Sequence, residues 1–193
     1  MQAAKKRPEE LFWIATPEQI LHKLYWEISQ FKQACIDDEY VGGRNAVFNA
    51  FNCAITAVRC ADRAWAFAGR DTRRALGEKF EFPVRGNRSD MTAFGDALEK
   101  HNRDFYICRR LANGSGYLRP RDQKEAIEAV VEQLPVPDEK FHVNFVIYDG
   151  DRTTPVAEVF ERMLLFWERF YREYGLMSRS GGPLEPAPPE EGS

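Results

Sequence analysis

Between residues 156 and 173 the chain places Val156, Val159, Phe160, Met163, Leu164, Trp167, Phe170 and Tyr171 at helical steps, with Glu and Arg filling the other positions. Only an α-helix gathers such positions on one face, because successive residues rotate by about 100°. A face this apolar has to be covered, so the segment demands partners to pack on. The same periodicity recurs upstream. Thr16-Pro17-Glu18 reads as an N-cap with proline in the first turn, and Ile20, Leu21, Leu24, Tyr25, Ile28 and Phe31 carry a first helix to about Asp37. After Gly42-Gly43 a longer helix runs to about Ala68, with Val47, Phe48, Phe51, Ile55, Val58 and Trp65 among many alanines. Its small residues permit close approach and place it centrally. Residues 69–90 read as a connector with a short helix at 72–79 and a turn around Pro83 and Gly86. Ser89 is expected to cap a third long helix, one rod with the seam Met91, Phe94, Leu98, His101, Phe105, Cys108 and Ala112, ending at Asn113-Gly114.

FHVNFVIYD, residues 141–149, is rich in β-formers, and a lone strand leaves its backbone unpaired. Periodicity lets KEAIEAVVEQL, residues 124–134, be helix or strand; the need for a pairing partner decides for strand. Thr153 or Thr154 then caps the last helix. The expected class is mainly α, an up-and-down four-helix bundle with a small β-hairpin inserted before the last helix. Residues 1–10 are expected to be a flexible start, 11–176 one helical domain, and the Pro/Gly/Glu-rich 177–193 a disordered tail.

A chain of 193 residues buries enough surface to fold without a disulfide or metal staple. Cys35, Cys53, Cys60 and Cys108 form no paired motif and His22, His101 and His142 no ligand set, so neither a metal nor another cofactor is expected. No apolar run is long enough for a membrane span and no signal core follows the first residues, so the expected location is the cytoplasm.

The stretch ICRRLANGSGYL, residues 107–118, carries the candidate chemistry. Helical geometry puts Arg109 on the flank of the apolar seam and Arg110 toward solvent. In a last turn, both complement the helix dipole. Helices leading into an arginine-headed polar segment, then an edge strand and VAEVFERMLLFWERFY, resemble the HEPN (higher eukaryotes and prokaryotes nucleotide-binding) superfamily. The resemblance implies a helical bundle, a homodimer, and in catalytic members a metal-independent ribonuclease whose Arg holds phosphate while a following His moves protons. Here the position that this spacing reaches from Arg110 is Tyr117, and a phenol titrating near pH 10 is a poor base at neutral pH. Binding without cleavage is therefore expected, through Arg109, Arg110, Asn113, Tyr117 and Arg103, of RNA, a nucleotide or a partner protein, in a defence or toxin–antitoxin setting that only the resemblance implies. An active ribonuclease with an unusual Arg/Asn/Tyr set and a purely structural dimeric adaptor stand as alternatives. No residue is assigned a catalytic role.

His101, among Phe94, Leu98 and Phe105, reads as a core or dimer-seam histidine. The aromatic residues Phe160, Phe166, Trp167, Phe170, Tyr171 and Tyr174 wrap wider than one face requires and suit a dimer seam. Arginines crowd the middle of a chain whose net charge is -3, among them Arg70, Arg73, Arg74, Arg85 and Arg88. Interspersed Asp71, Glu78, Asp90 and Asp96 favour an ordinary solvated face over a basic surface.

Overall fold

A computed structural model describes residues 16–36, 42–113, 127–135, 141–149 and 151–177; for 42, 43, 127–135 and 141–144 it describes the backbone. Among the described residues, six helices and one sheet follow in the order α1 (Pro17–Ile36), α2 (Gly42–Phe67), α3 (Arg70–Lys79), α4 (Ser89–His101), α5 (Arg103–Ala112), β1 (Ile127–Pro135), β2 (Phe141–Asp149), β3 (Arg152–Pro155) and α6 (Val156–Glu173). The protein is mainly helical with an antiparallel hairpin before the last helix, as expected. The segment left open between helix and strand is strand β1. The strands lie in the order β1-β2-β3, with Ile127 opposite Asp149 and Val146 opposite Pro155. The third strand takes the residues expected to cap α6, and Pro155 itself is the helix N-cap. The expected flexible start and tail lie outside the described residues.

Helix α1 begins as its sequence dictates. Thr16 Oγ1 accepts from the Gln19 amide at 3.2 Å while Gln19 Oε1 accepts from the Thr16 amide at 3.1 Å, a reciprocal capping box. Helix α2 is central and packs against α1, α4, α5 and α6. Most of its buried positions are small, Ala46, Ala50, Cys53, Ala54, Ala57, Cys60, Ala61 and Ala64, so neighbouring backbones come close; Trp65, buried near its C-terminal end as its place on the stripe predicts, is the large exception. Phe48 and Ile55, expected on the packing stripe, point outward instead, and α2 packs mainly through its alanine face. Phe31 stacks edge-on against Phe145 and Phe160, each at 5.5 Å, and so joins α1, the sheet and α6. The aromatic run of α6 is core: Phe160, Trp167, Phe170 and Tyr171 are buried, and Phe166 and Tyr174 pack against them. The Tyr171 hydroxyl donates to the Cys60 carbonyl at 2.8 Å, fixing α6 on α2. Burial pushes that phenol and the Cys53 and Cys108 thiols far up, and takes Cys60 to about 12 and Cys35 to about 11. All four thiols are free and protonated at neutral pH.

The expected rod from Ser89 to Ala112 is broken. Asn102 is extended, at φ -138° and ψ 107°; its amide still donates to the Leu98 carbonyl, and its side chain accepts from the Phe105 amide at 3.0 Å. One residue thus ends α4 and caps α5. The apolar seam passes through the bend without a change of spacing, which is why periodicity does not reveal it. His101, beside the break, is exposed rather than core: its Nδ1 lies 2.9 Å from the Ala97 carbonyl and its ring stands edge-on to Phe80. Ser89 is the first residue of α4 and does not cap it.

The connector after α3 turns back along that helix. Phe82 donates to the Gly77 carbonyl at 2.9 Å, and a Cβ at Gly77 would stand 2.6 Å from Val84 Cγ2 and 2.9 Å from the Phe82 carbonyl oxygen. Only glycine admits this approach. Replacing Gly77 by Ala is expected to cost roughly 1 to 3 kcal/mol by overpacking, and Asn102→Ala about 1 kcal/mol through the lost cap. Urea unfolding followed by far-ultraviolet circular dichroism measures both.

Candidate nucleic-acid interface

The residues expected to bind lie on α5 and its flank. Because the chain bends at Asn102, α5 returns toward α4. In an unbroken helix Asp96 and Arg109 would be about 20 Å apart along the axis. In the bent chain the Arg109 guanidinium reaches Asp96 at 2.8 Å and Glu99 at 2.6 Å, lying over Gly95. Arg110 is 3.9 Å from Glu99. Arg103 donates twice to the Asp149 carboxylate, at 2.8 and 2.5 Å, and so ties α5 to the end of β2. The Arg103 and Arg110 guanidiniums also sit over the buried Tyr106 ring, at 4.4 and 4.9 Å from its centre. Asn113 is the C-cap at φ -73°, not in the left-handed region, and its amide donates to the Arg109 carbonyl. Tyr117 lies outside the described residues.

Electrostatically this end of α5 is balanced. Arg103, Arg109 and Arg110 face Asp96, Glu99 and Asp149. An incoming phosphate would displace a carboxylate from a bond already made, so its net gain is small. The geometry here locks α4, α5 and β2 together. Arg162, donating to Asp104 at 2.8 Å through two nitrogens, does the same for α6 and α5.

A different set of arginines is less matched. Arg70, Arg73, Arg74, Arg85 and Arg88 line one open groove of about 990 Å³, with Asp71, Val84, Gly86, Asn87 and Asp90. The first three stand on the opening turns of α3. The connector that folds back over Gly77 brings the last two alongside. Sequence distance concealed this; the paired signals RDTRR and VRGNR at the two ends of a helix and its return were the available clue.

Two carboxylates, Asp71 and Asp90, against five guanidiniums leave the groove lining positive. Asp90 is buried and accepts from the backbone amides of Arg85 (3.0 Å), Gly86 (2.7 Å) and Asn87 (3.3 Å). Burial raises this carboxyl and the three amide bonds lower it; the bonds prevail, holding it below the ordinary range. These bonds fix the loop, which passes through Gly86 at φ +78°. Asp71 is almost wholly in solvent, 3.9 Å from Arg74. Arg73 is committed to structure: its Nε donates to the Trp65 carbonyl at 3.1 Å and it lies over the Trp65 ring. Among the described residues no salt bridge engages Arg70, Arg85 or Arg88, and all three are exposed. Guanidiniums so placed present paired N–H donors to phosphate oxygens. The lining holds no imidazole, thiol, amine or phenol, so its side chains offer charge and donors but nothing that exchanges a proton near neutral pH.

Scanned against known protein families, curated proteins and solved structures, the chain matches none of them. Among the described residues no helix is long and apolar enough to cross a membrane, and no cluster of His, Cys, Asp and Glu is arranged to hold a metal.

Acid should loosen the groove and the α5–β2 tie together. The Arg103 hydrogen bonds hold the Asp149 carboxyl below its ordinary value, as the backbone amides do for Asp90. A depressed folded-state pKa stabilises the fold fully above the unfolded value, near pH 4, and that contribution disappears as pH falls through the folded value. Thermal unfolding midpoints are therefore expected to be flat for these groups from pH 7 to about 5 and to drop below about 4. In Asp90→Asn the midpoint at pH 7 falls and the acid drop shrinks.

Proposed function

We propose that the protein binds RNA through its phosphate backbone, gripping it with Arg70, Arg74, Arg85 and Arg88 in the groove that Arg73 helps to build, without cleaving it. The observation that carries this reading is the imbalance of charge there: five guanidiniums against one buried and one solvent-facing carboxylate, in a chain whose overall charge is -3. A uniformly basic protein would attract polyanions anywhere on its surface; in a chain of net negative charge, a groove lined by guanidiniums gives the attraction a place. This moves the proposed contact from the Arg109 segment, whose guanidiniums are held by carboxylates, to the turn before α4. The HEPN-like kinship proposed from sequence fits a nucleotide-contacting role and an incomplete nuclease set.

The reading is tested with fluorescently labelled single-stranded RNA in anisotropy titrations across a salt series. Binding should weaken with salt by about 0.7 in log–log slope for each phosphate neutralised, and the joint variant Arg85→Ala/Arg88→Ala should lose at least about tenfold in affinity and lower the slope by roughly 1 to 1.5. Arg109→Ala should bind as the natural chain does. Absence of salt-sensitive binding, or affinity indifferent to Arg85 and Arg88, contradicts the proposal. Cleavage that vanishes in Arg109→Ala would reinstate the ribonuclease alternative.

A further inference from the structure

The outward face of α2 carries apolar side chains that the core leaves wholly or partly uncovered. Phe48, Phe51, Ile55 and Val58 recur at steps of three, four and three, the spacing of a coiled-coil seam. Phe48 is 64% and Ile55 42% exposed, Phe51 is half-buried, and Val58 leans against the core. The neighbouring α1 adds Trp26, 61% exposed. It stands level with residue 53, because Lys23 donates to Thr56 at 2.6 Å and Asn49 to the Gln30 carbonyl, bonds that run α1 and α2 antiparallel. Apolar groups collected at helical spacing on one surface mark a contact site rather than scattered exposure.

The ends of the stripe say what fits it. Arg44 lies one step before Phe48 and Asp62 one step after Val58, so the series is arginine, four apolar residues, aspartate. That series is symmetric in position about Cys53: Arg44 mirrors Asp62, Phe48 mirrors Val58, and Phe51 mirrors Ile55. Two such helices laid antiparallel would bring each apolar residue against an apolar one and set Arg44 against Asp62 of the partner subunit at both ends. A parallel pairing would set arginine on arginine and aspartate on aspartate, which disfavours it. In one chain Asp62 is held by Arg59 at 2.7 Å, an exposed pair that contributes little and leaves room for a second cation.

From this we infer that the protein forms a two-fold symmetric homodimer through α2, with the axis crossing the outward face at the level of residue 53. The occupant of the face is a second copy of this chain, because its charge pattern complements itself only when reversed. The inference stands independently of RNA binding in the arginine groove.

Sedimentation velocity of the full chain over a concentration series tests it. The natural chain is expected to show a monomer–dimer equilibrium with Kd on the order of micromolar, as befits a short helical seam. Phe48→Glu/Ile55→Glu should raise Kd at least about a hundredfold while retaining the helical circular dichroism, since both side chains are on the surface. Arg44→Asp alone and Asp62→Arg alone should each weaken association about tenfold, and the two reversals together should restore it, because both end pairs re-form with polarity exchanged. A monomer at every concentration overturns the inference. A dimer indifferent to the Phe48 and Ile55 changes, or charge reversals whose effects add instead of cancelling, overturns it equally.

Discussion

The absence of a side chain at Gly77 decides where the charge of this protein goes. With no Cβ there, residues 82–84 press against α3 and run back along it, and the two arginine-bearing ends of the connector become neighbours. Left alone, guanidiniums so close would repel. Asp90 offsets part of that by occupying the amides of Arg85, Gly86 and Asn87, so the turn keeps its shape while the Arg85 and Arg88 side chains stay exposed. The groove is thus a backbone device first and a charged surface second.

Two arginine clusters stand out among the described residues, and partner supply separates their roles. Around α5 each guanidinium has a carboxylate within reach, and Arg103 and Arg110 also cover Tyr106; these contacts hold α4, α5 and β2 in place. In the groove only Arg73 is spent on structure, closing the carbonyl end of α2. A residue type alone does not identify a binding group. What remains unpaired after folding does.

Much of the architecture is legible in sequence because it is local. Thr16 and Pro17 announce α1, the alanine-rich run after Gly42 announces a close-packed central helix, and the pairing demand of residues 141–149 turns the ambiguous segment before it into a strand. Three things were not legible. The break at Asn102 preserves apolar spacing on both sides, so the seam looks continuous; the one available sign was an Asn placed to cap Phe105. The outward turn of Phe48 and Ile55 follows from α2 having two apolar faces, of which the smaller-residue face fits the core. The arginine groove depends on a return of the chain over Gly77, a long-range event that no periodicity records.

The central claim is that Arg70, Arg85 and Arg88 meet the phosphate backbone while Arg109 does not. Two-dimensional NMR of the arginine Nε–Hε groups during titration with a short single-stranded RNA reads this directly. The account predicts saturable shifts of the Arg70, Arg85 and Arg88 resonances with Arg109 unmoved, the whole response fading as salt is raised. Shifts confined to Arg109 and Arg110, with the groove resonances unchanged, would contradict it.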